Sequence, residues 1–230
     1  MYEIKFYQGD YGERQRQANE DECVAYVEHH FNSASSSSAG YSVVITGSNA
    51  SQTSKNWGRW YANAVGREFD IPVSGDDGIV VGGYGGRGDS NLRYTNMPAV
   101  LLEPLFASNP QHAEWIRSDD GQTRLAQILC DSIERFFPAG GRIGFSVGHK
   151  YKTSRPADCG AQVCGGGVEA EFAEEVLLKA KEMLMEIHAP TEARKIKVMR
   201  GSEVLWSQAV DEDADLVWDP VRGVLRIHES

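Results

Sequence analysis

Pro98-Ala99-Val100-Leu101-Leu102-Glu103 sets an unbroken apolar run directly against a carboxylate. A strand with one wet face alternates apolar and polar residues, whereas an uninterrupted run of this length fits a strand covered on both faces. Other segments share this character. Cys23-Val24-Ala25-Tyr26-Val27 is a compact apolar run that leads into Glu28-His29-His30, and Arg142 to Val147 is stopped by Gly148-His149. Ile4 to Tyr7 and Tyr41 to Thr46 add two more strands. Between them lie helical patterns over Glu13 to Glu22, Ser54 to Phe69, Thr123 to Phe137 and residues 168 to 187, the last with Phe172, Val176, Ala180 and Leu184 in one stripe. Strands that alternate with helices predict an α/β domain with a mixed, mostly parallel sheet covered by helices on both faces.

The character changes after Pro190. Ile196 to Met199 and Val204 to Trp206 flank Arg200-Gly201-Ser202, and Leu216 to Trp218 and Val224 to Ile227 flank a second turn. These are hairpin signals. The division expected is a main α/β domain over residues 1–189 and a small β appendage over 190–230.

The formal net charge is -10 over 230 residues. That balance excludes a nucleic-acid binder, which needs a basic footprint. No apolar run is long enough for a membrane span. Met1 to Phe6 carries no signal-peptide pattern, so the expectation is cytoplasmic synthesis, with any export by a specialised route the sequence does not show. Of the four cysteines, Cys23 and Cys130 sit in apolar runs as buried thiols. Cys159 and Cys164 lie in a glycine-rich loop with too few neighbouring ligands for a zinc knuckle, and a disulfide between them stays open.

Three of the expected core strands therefore end in a group able to ligate a metal or move a proton: His30, Glu103 and His149. In open α/β sheets, sites form beyond the carboxyl ends of the strands. Glu169 opens the helix after the His149 loop and can be steered to the same edge. Two histidines and a carboxylate with an open fourth position suit catalytic zinc, which acidifies water and polarises a carbonyl. A further carboxylate can then serve as general base. Each group also has an ordinary explanation. A histidine at a strand end is commonly just a satisfied polar residue, and a helix N-terminus favours acids such as Glu169, Glu171, Glu174 and Glu175 regardless of function. His29 is expected on the opposite side of its strand from His30, and His112, His188 and His228 at the surface.

The segment Met97-Pro98-Ala99-Val100-Leu101-Leu102-Glu103-Pro104-Leu105-Phe106-Ala107-Ser108-Asn109-Pro110 resembles the Pro-Ala-Val-Leu-Val-Glu, Gly-Phe, Ser-Asn-Pro block of the zinc-dependent N-acetylmuramoyl-L-alanine amidases, with Leu105 in place of a glycine. Val24 to Asn32 is similar to that family's strand ending in His-x-Asn, and Arg14 to Asn19 to the Arg…Ala-Asn helix before it. The family's opening strand, which ends in Gly-His-Gly-Gly, has no counterpart near the N-terminus. Ile143 to His149 resembles it instead, with Lys150 replacing a glycine, and Glu169 after Gly165-Gly166-Gly167 matches the second ligand, with Glu171 as its close alternative.

The resemblance implies a phosphorylase/hydrolase-like zinc amidase fold, circularly permuted with a junction near residues 138–141. It implies His30, His149 and Glu169 as ligands to Zn2+ and Glu103 as the catalytic base. The implied reaction is hydrolysis of the amide between N-acetylmuramic acid and L-alanine, with peptidoglycan or a muropeptide as substrate. A non-catalytic wall-binding protein on the same fold and a related zinc peptidase are the competing expectations.

Overall fold

The computed structural model describes residues 1–185 in full, the backbone of Glu186 and, beyond it, the backbone of four strands between residues 194 and 228. The chain divides into two compact units, Met1–Glu186 and Ile187–Ser230.

The first unit is built on a six-stranded sheet. Its strands are β1 (Tyr2–Phe6), β2 (Ala25–His29), β3 (Val43–Thr46), β4 (Ile79–Val81), β7 (Ala99–Glu103) and β8 (Gly141–Val147), and a small hairpin of β5 (Gly83–Tyr84) and β6 (Arg87–Gly88) interrupts the series. The spatial order is β1-β8-β2-β7-β3-β4. Every pairing is parallel except β3 with β7, which makes the sheet mixed and mostly parallel. β8, β2 and β7 are adjacent and parallel, so their carboxyl ends meet at one edge.

Alternation along the central strands sorts the side chains between two layers. Ala25, Val27, Val100, Leu102, Ile143, Phe145 and Val147 join the larger core. The helices α2 (Gln52–Phe69), α3 (Pro110–Arg117), α4 (Asp119–Phe136) and α5 (Glu169–Glu186) supply the rest of it, with Trp57, Ile116, Leu125 and Val176 among their buried residues. The opposite face packs Tyr26, Ile45 and Leu101 against Ala18 of α1 (Tyr11–Glu20) and Leu92, which follows a short 3-10 turn, Asp89–Asn91. Helices thus cover both faces, unequally, and the thinly covered face leaves room for a cavity.

Several elements differ from the sequence expectation. The strand expected at Cys23 to Val27 forms two residues later, because the Cys23 amide closes the end of α1 on Ala18 O. Glu28 and His29 are therefore inside the sheet. Helix α3 was not anticipated. It is capped by Asn109, whose side chain accepts from the amides of Gln111 and His112, and Pro110 sits at its first turn. That helix carries His112 inward. Expected at the surface, it is buried instead, accepts a hydrogen bond from the Phe106 amide at 3.1 Å and packs on Trp115. Cys23 and Cys130 are buried thiols, while Cys159 and Cys164 are exposed and unbonded to each other.

In the second unit, β9 (Arg194–Arg200) pairs antiparallel with β10 (Glu203–Val210), and β11 (Asp215–Asp219) with β12 (Val224–His228). His188 lies outside the described residues, as does the side chain of His228.

Candidate metal centre

His30 follows the last residue of β2, Glu103 ends β7, and His149 follows Gly148 after β8. Glu169 is the first residue of α5. Ligand atoms of His30, His149 and Glu169 all lie within 4.8 Å of one another. Glu169 Oε1 is 2.9 Å from His30 Nδ1 and 3.4 Å from His149 Nε2. Of the two carboxylates considered for this position, Glu169 is buried in the cluster and Glu171 is exposed.

Each histidine presents one nitrogen to this point because the other is held from behind. His30 Nε2 contacts Glu28 Oε1 at 2.8 Å, and Glu28 in turn accepts from Asn91 Nδ2 at 2.6 Å. His149 Nδ1 donates to Asp158 Oδ1 at 2.9 Å, and Lys152 Nζ donates to Asp158 Oδ2 at 2.7 Å. A carboxylate behind a ligating histidine fixes its tautomer and raises its basicity, as it does in metal sites. Neither Glu28 nor Asp158 was anticipated. Glu28 carried a usable signal: it is two residues before His30, so it shares a strand face with it, and a carboxylate in an apolar strand needs a partner. Asp158 sits in a loop where no periodicity applies.

The close approach of the strands imposes glycine at two points. A Cβ at Gly148 would run into the His30 ring. Gly160 has φ +75°, and a Cβ there would lie 2.5 Å from Glu169 Oε2 and 2.8 Å from the His149 ring. Arg14, fully buried on α1, braces the same turn. It donates to Ser146 Oγ at 2.6 Å, to Val147 O at 2.9 Å and to Lys150 O.

The electrostatics are those of a cation site. Burial opposes a charge on His30, but hydrogen bonds to Glu169 and Glu28 outweigh it and hold its pKa well above the usual histidine value. Burial likewise works against the Glu169 carboxylate, yet the His30 hydrogen bond and the fields of both histidines keep its pKa low. The two carboxylates around His30 therefore hold a positive charge there. Two neutralisable imidazole nitrogens and one carboxylate oxygen at this spacing are a donor set that fits a divalent metal such as zinc. His29 is unlike its neighbour. Its side chain is buried edge-on to Phe31 with both ring nitrogens unpartnered, and burial lowers its pKa to about 3.

Glu103 does not join the cluster but lines the same cavity of 620 Å³, with His30, His149 and Glu169. Burial raises its pKa, opposed by His30, reinforced by Glu169 and opposed again by Arg87. A carboxylate whose pKa is raised in this way is suited to take and return a proton.

A mostly parallel α/β sheet with a two-histidine, one-carboxylate centre at its carboxyl edge and a separate carboxylate across the cavity is the architecture of a metal-dependent hydrolase domain. The family profile of Amidase_3, N-acetylmuramoyl-L-alanine amidase, matches residues 5–135, more than half of the chain. The chain belongs to this family, whose members are in general zinc-dependent.

Similar solved structures include the catalytic domain of CwlV, an N-acetylmuramoyl-L-alanine amidase from Bacillus (Paenibacillus) polymyxa var. colistinus. It is 28% identical with a TM-score of 0.47, and the match covers 56% of this chain and 66% of that one. The N-acetylmuramoyl-L-alanine amidase of Clostridium difficile 630 is 20% identical with a TM-score of 0.48 over 56% of this chain and 66% of that one. Ami1 from Mycobacterium smegmatis is 21% identical with a TM-score of 0.45 over 55% of this chain and 60% of that one. The chain thus spans less than two thirds of these structures. No curated protein matches it.

Proposed function

We propose that this protein is a zinc-dependent N-acetylmuramoyl-L-alanine amidase that hydrolyses the amide between N-acetylmuramic acid and L-alanine in peptidoglycan. The observation that carries the reading is the meeting of His30, His149 and Glu169 within 4.8 Å, in the cavity that Glu103 lines. Family membership supplies the substrate class.

His30 through Nδ1, His149 through Nε2 and Glu169 would hold the zinc, with Glu28 and Asp158 fixing the two rings. Zinc in that position supplies a Lewis acid for the substrate carbonyl and lowers the pKa of water to about 7. Glu103 accepts the proton from the attacking water and delivers it to the departing alanine amine, a role its raised pKa suits. Tyr41, Phe31 and Phe106 give the cavity aromatic walls against which the substrate can pack.

The permuted order is part of the same reading. The family match ends at residue 135, before β8 and α5, although these two elements carry His149 and Glu169. β8 lies parallel beside β1, and α5 packs on both. In an unpermuted chain β8, α5 and β1 would form one continuous strand-helix-strand unit.

The test is digestion of purified peptidoglycan by the zinc-loaded protein and by Glu103→Gln. The expected result is a loss of about 10²–10⁴-fold in kcat at unchanged zinc content. Full activity in the variant would remove Glu103 from the mechanism.

A further inference from the structure

The segment Gly82-Gly83-Tyr84-Gly85-Gly86-Arg87-Gly88 forms the β5–β6 hairpin at the cavity wall. Its two loop residues, Gly85 and Gly86, have φ +60° and +85°, the double left-handed turn that two-residue hairpins prefer. Tyr84 and Arg87 are register partners across it, and both line the cavity. Glycines on either side remove every other side chain from the hairpin. Gly88 lets the strand lie against the sheet, where a Cβ would sit 2.9 Å from Ile45 Cδ1. The motif thus displays one aromatic and one cation toward the site and nothing else. Tyr84 is tied to the wall through its interactions with Tyr41 and Ser74.

Arg87 has no such tie. Among the described residues its side chain makes no hydrogen bond or ion pair, although its field reaches Glu103. The other cations around the cavity are committed: Lys152 to Asp158, Lys150 to Glu174, and Arg14 to backbone carbonyls and Ser146. A chain of net charge -10 repels an acidic peptide, so an anionic substrate needs a local cation at the point of entry. Resting on the amidase reading above, we propose that Arg87 is a specificity-determining residue that binds a carboxylate of the stem peptide on the leaving-group side of the scissile amide. A planar guanidinium can grip that carboxylate through two parallel hydrogen bonds, and Tyr84 limits its swing.

The test uses two synthetic muramoyl peptides, one with free stem carboxylates and one with the same carboxylates converted to carboxamides. It compares kcat/KM for the zinc-loaded wild type, Arg87→Gln and Arg87→Lys, with thermal melting as the folding control. The expected wild-type preference for the acid is about tenfold or more, the scale of one charge-assisted pair. The ratio falls to near one in Arg87→Gln and is partly restored in Arg87→Lys. A wild-type ratio near one, with both peptides cleaved, overturns the inference and leaves the amidase reading intact. Arg87→Gln slowing both substrates equally also overturns it, because the residue then acts on Glu103 and not on the peptide. Failure of the wild type to cleave either peptide or intact peptidoglycan overturns the amidase reading and this inference with it.

Discussion

Asp158 stands behind the candidate metal centre without belonging to it. Its carboxylate is held down to about pKa 2: burial resists the charge, but the Lys152 hydrogen bond and the Gly160 amide prevail. It therefore stays ionised and keeps a hydrogen on His149 Nδ1, leaving Nε2 free to face Glu169. Asp158→Asn keeps the shape and removes the charge. Zinc affinity should fall about 10–100-fold, measured by competition with a chromogenic chelator. Unchanged affinity would mean that the Asp158 charge does not act on the metal through His149. The four residues named from sequence for the site, His30, Glu103, His149 and Glu169, stand in one cavity. They were readable because three end apolar strands and one follows a glycine run. The supporting residues Glu28, Asn91 and Asp158 arrive from a strand interior, a 3-10 turn and a loop, and only Glu28 had a periodicity that could expose it.

Helix α3 shows what local patterns hide. Its eight residues are too few to display a full apolar stripe, so the cap at Asn109 and Pro110 was its only signature. Because it went unread, His112 was expected in water. In the structure its Nδ1 accepts from the Phe106 amide, and burial lowers its pKa to about 4. The unfolded chain therefore binds this proton first as the pH falls. The associated stability is present above about pH 6.5 and is lost progressively between there and pH 4. Urea unfolding at pH 7.5 and pH 5 should show a larger loss for the wild type than for His112→Gln, which can still accept the Phe106 amide but does not titrate. Equal losses in the two proteins would place the acid sensitivity elsewhere. The long strands and helices were readable because each is covered on a known side. Their ends were not, as the two-residue shift of β2 shows: the Cys23 amide is taken by the end of α1, a capping contact that no apolar run displays.

The covered α/β sheet followed from apolar runs alternating with helices, but its strand order did not. No local signal says that β8 inserts between β1 and β2. Only the motif around His149, matched to a family's opening strand, suggested that a late segment belongs beside an early one. Met1 O accepts from the Gly141 amide at 3.1 Å, so the start of the chain lies against the start of β8. If the order is a permutation, a chain running from Gly141 to Glu186, then through a short linker into Met1 and on to Phe137, should fold and bind zinc with wild-type stoichiometry. A rearranged chain that stays unfolded with linkers of several lengths would argue against it.

In the function proposed above, one zinc held by His30, His149 and Glu169 serves the cleavage of muramoyl-L-alanine amides. The most direct test is end-group and mass analysis of peptidoglycan digested by the zinc-loaded protein, by the chelated protein, and by the chelated protein given zinc back. The expected result is new amino-terminal alanine and no new reducing sugar ends, lost on chelation and restored by zinc. Cleavage that survives removal of the metal, or that releases any other terminus, would contradict it.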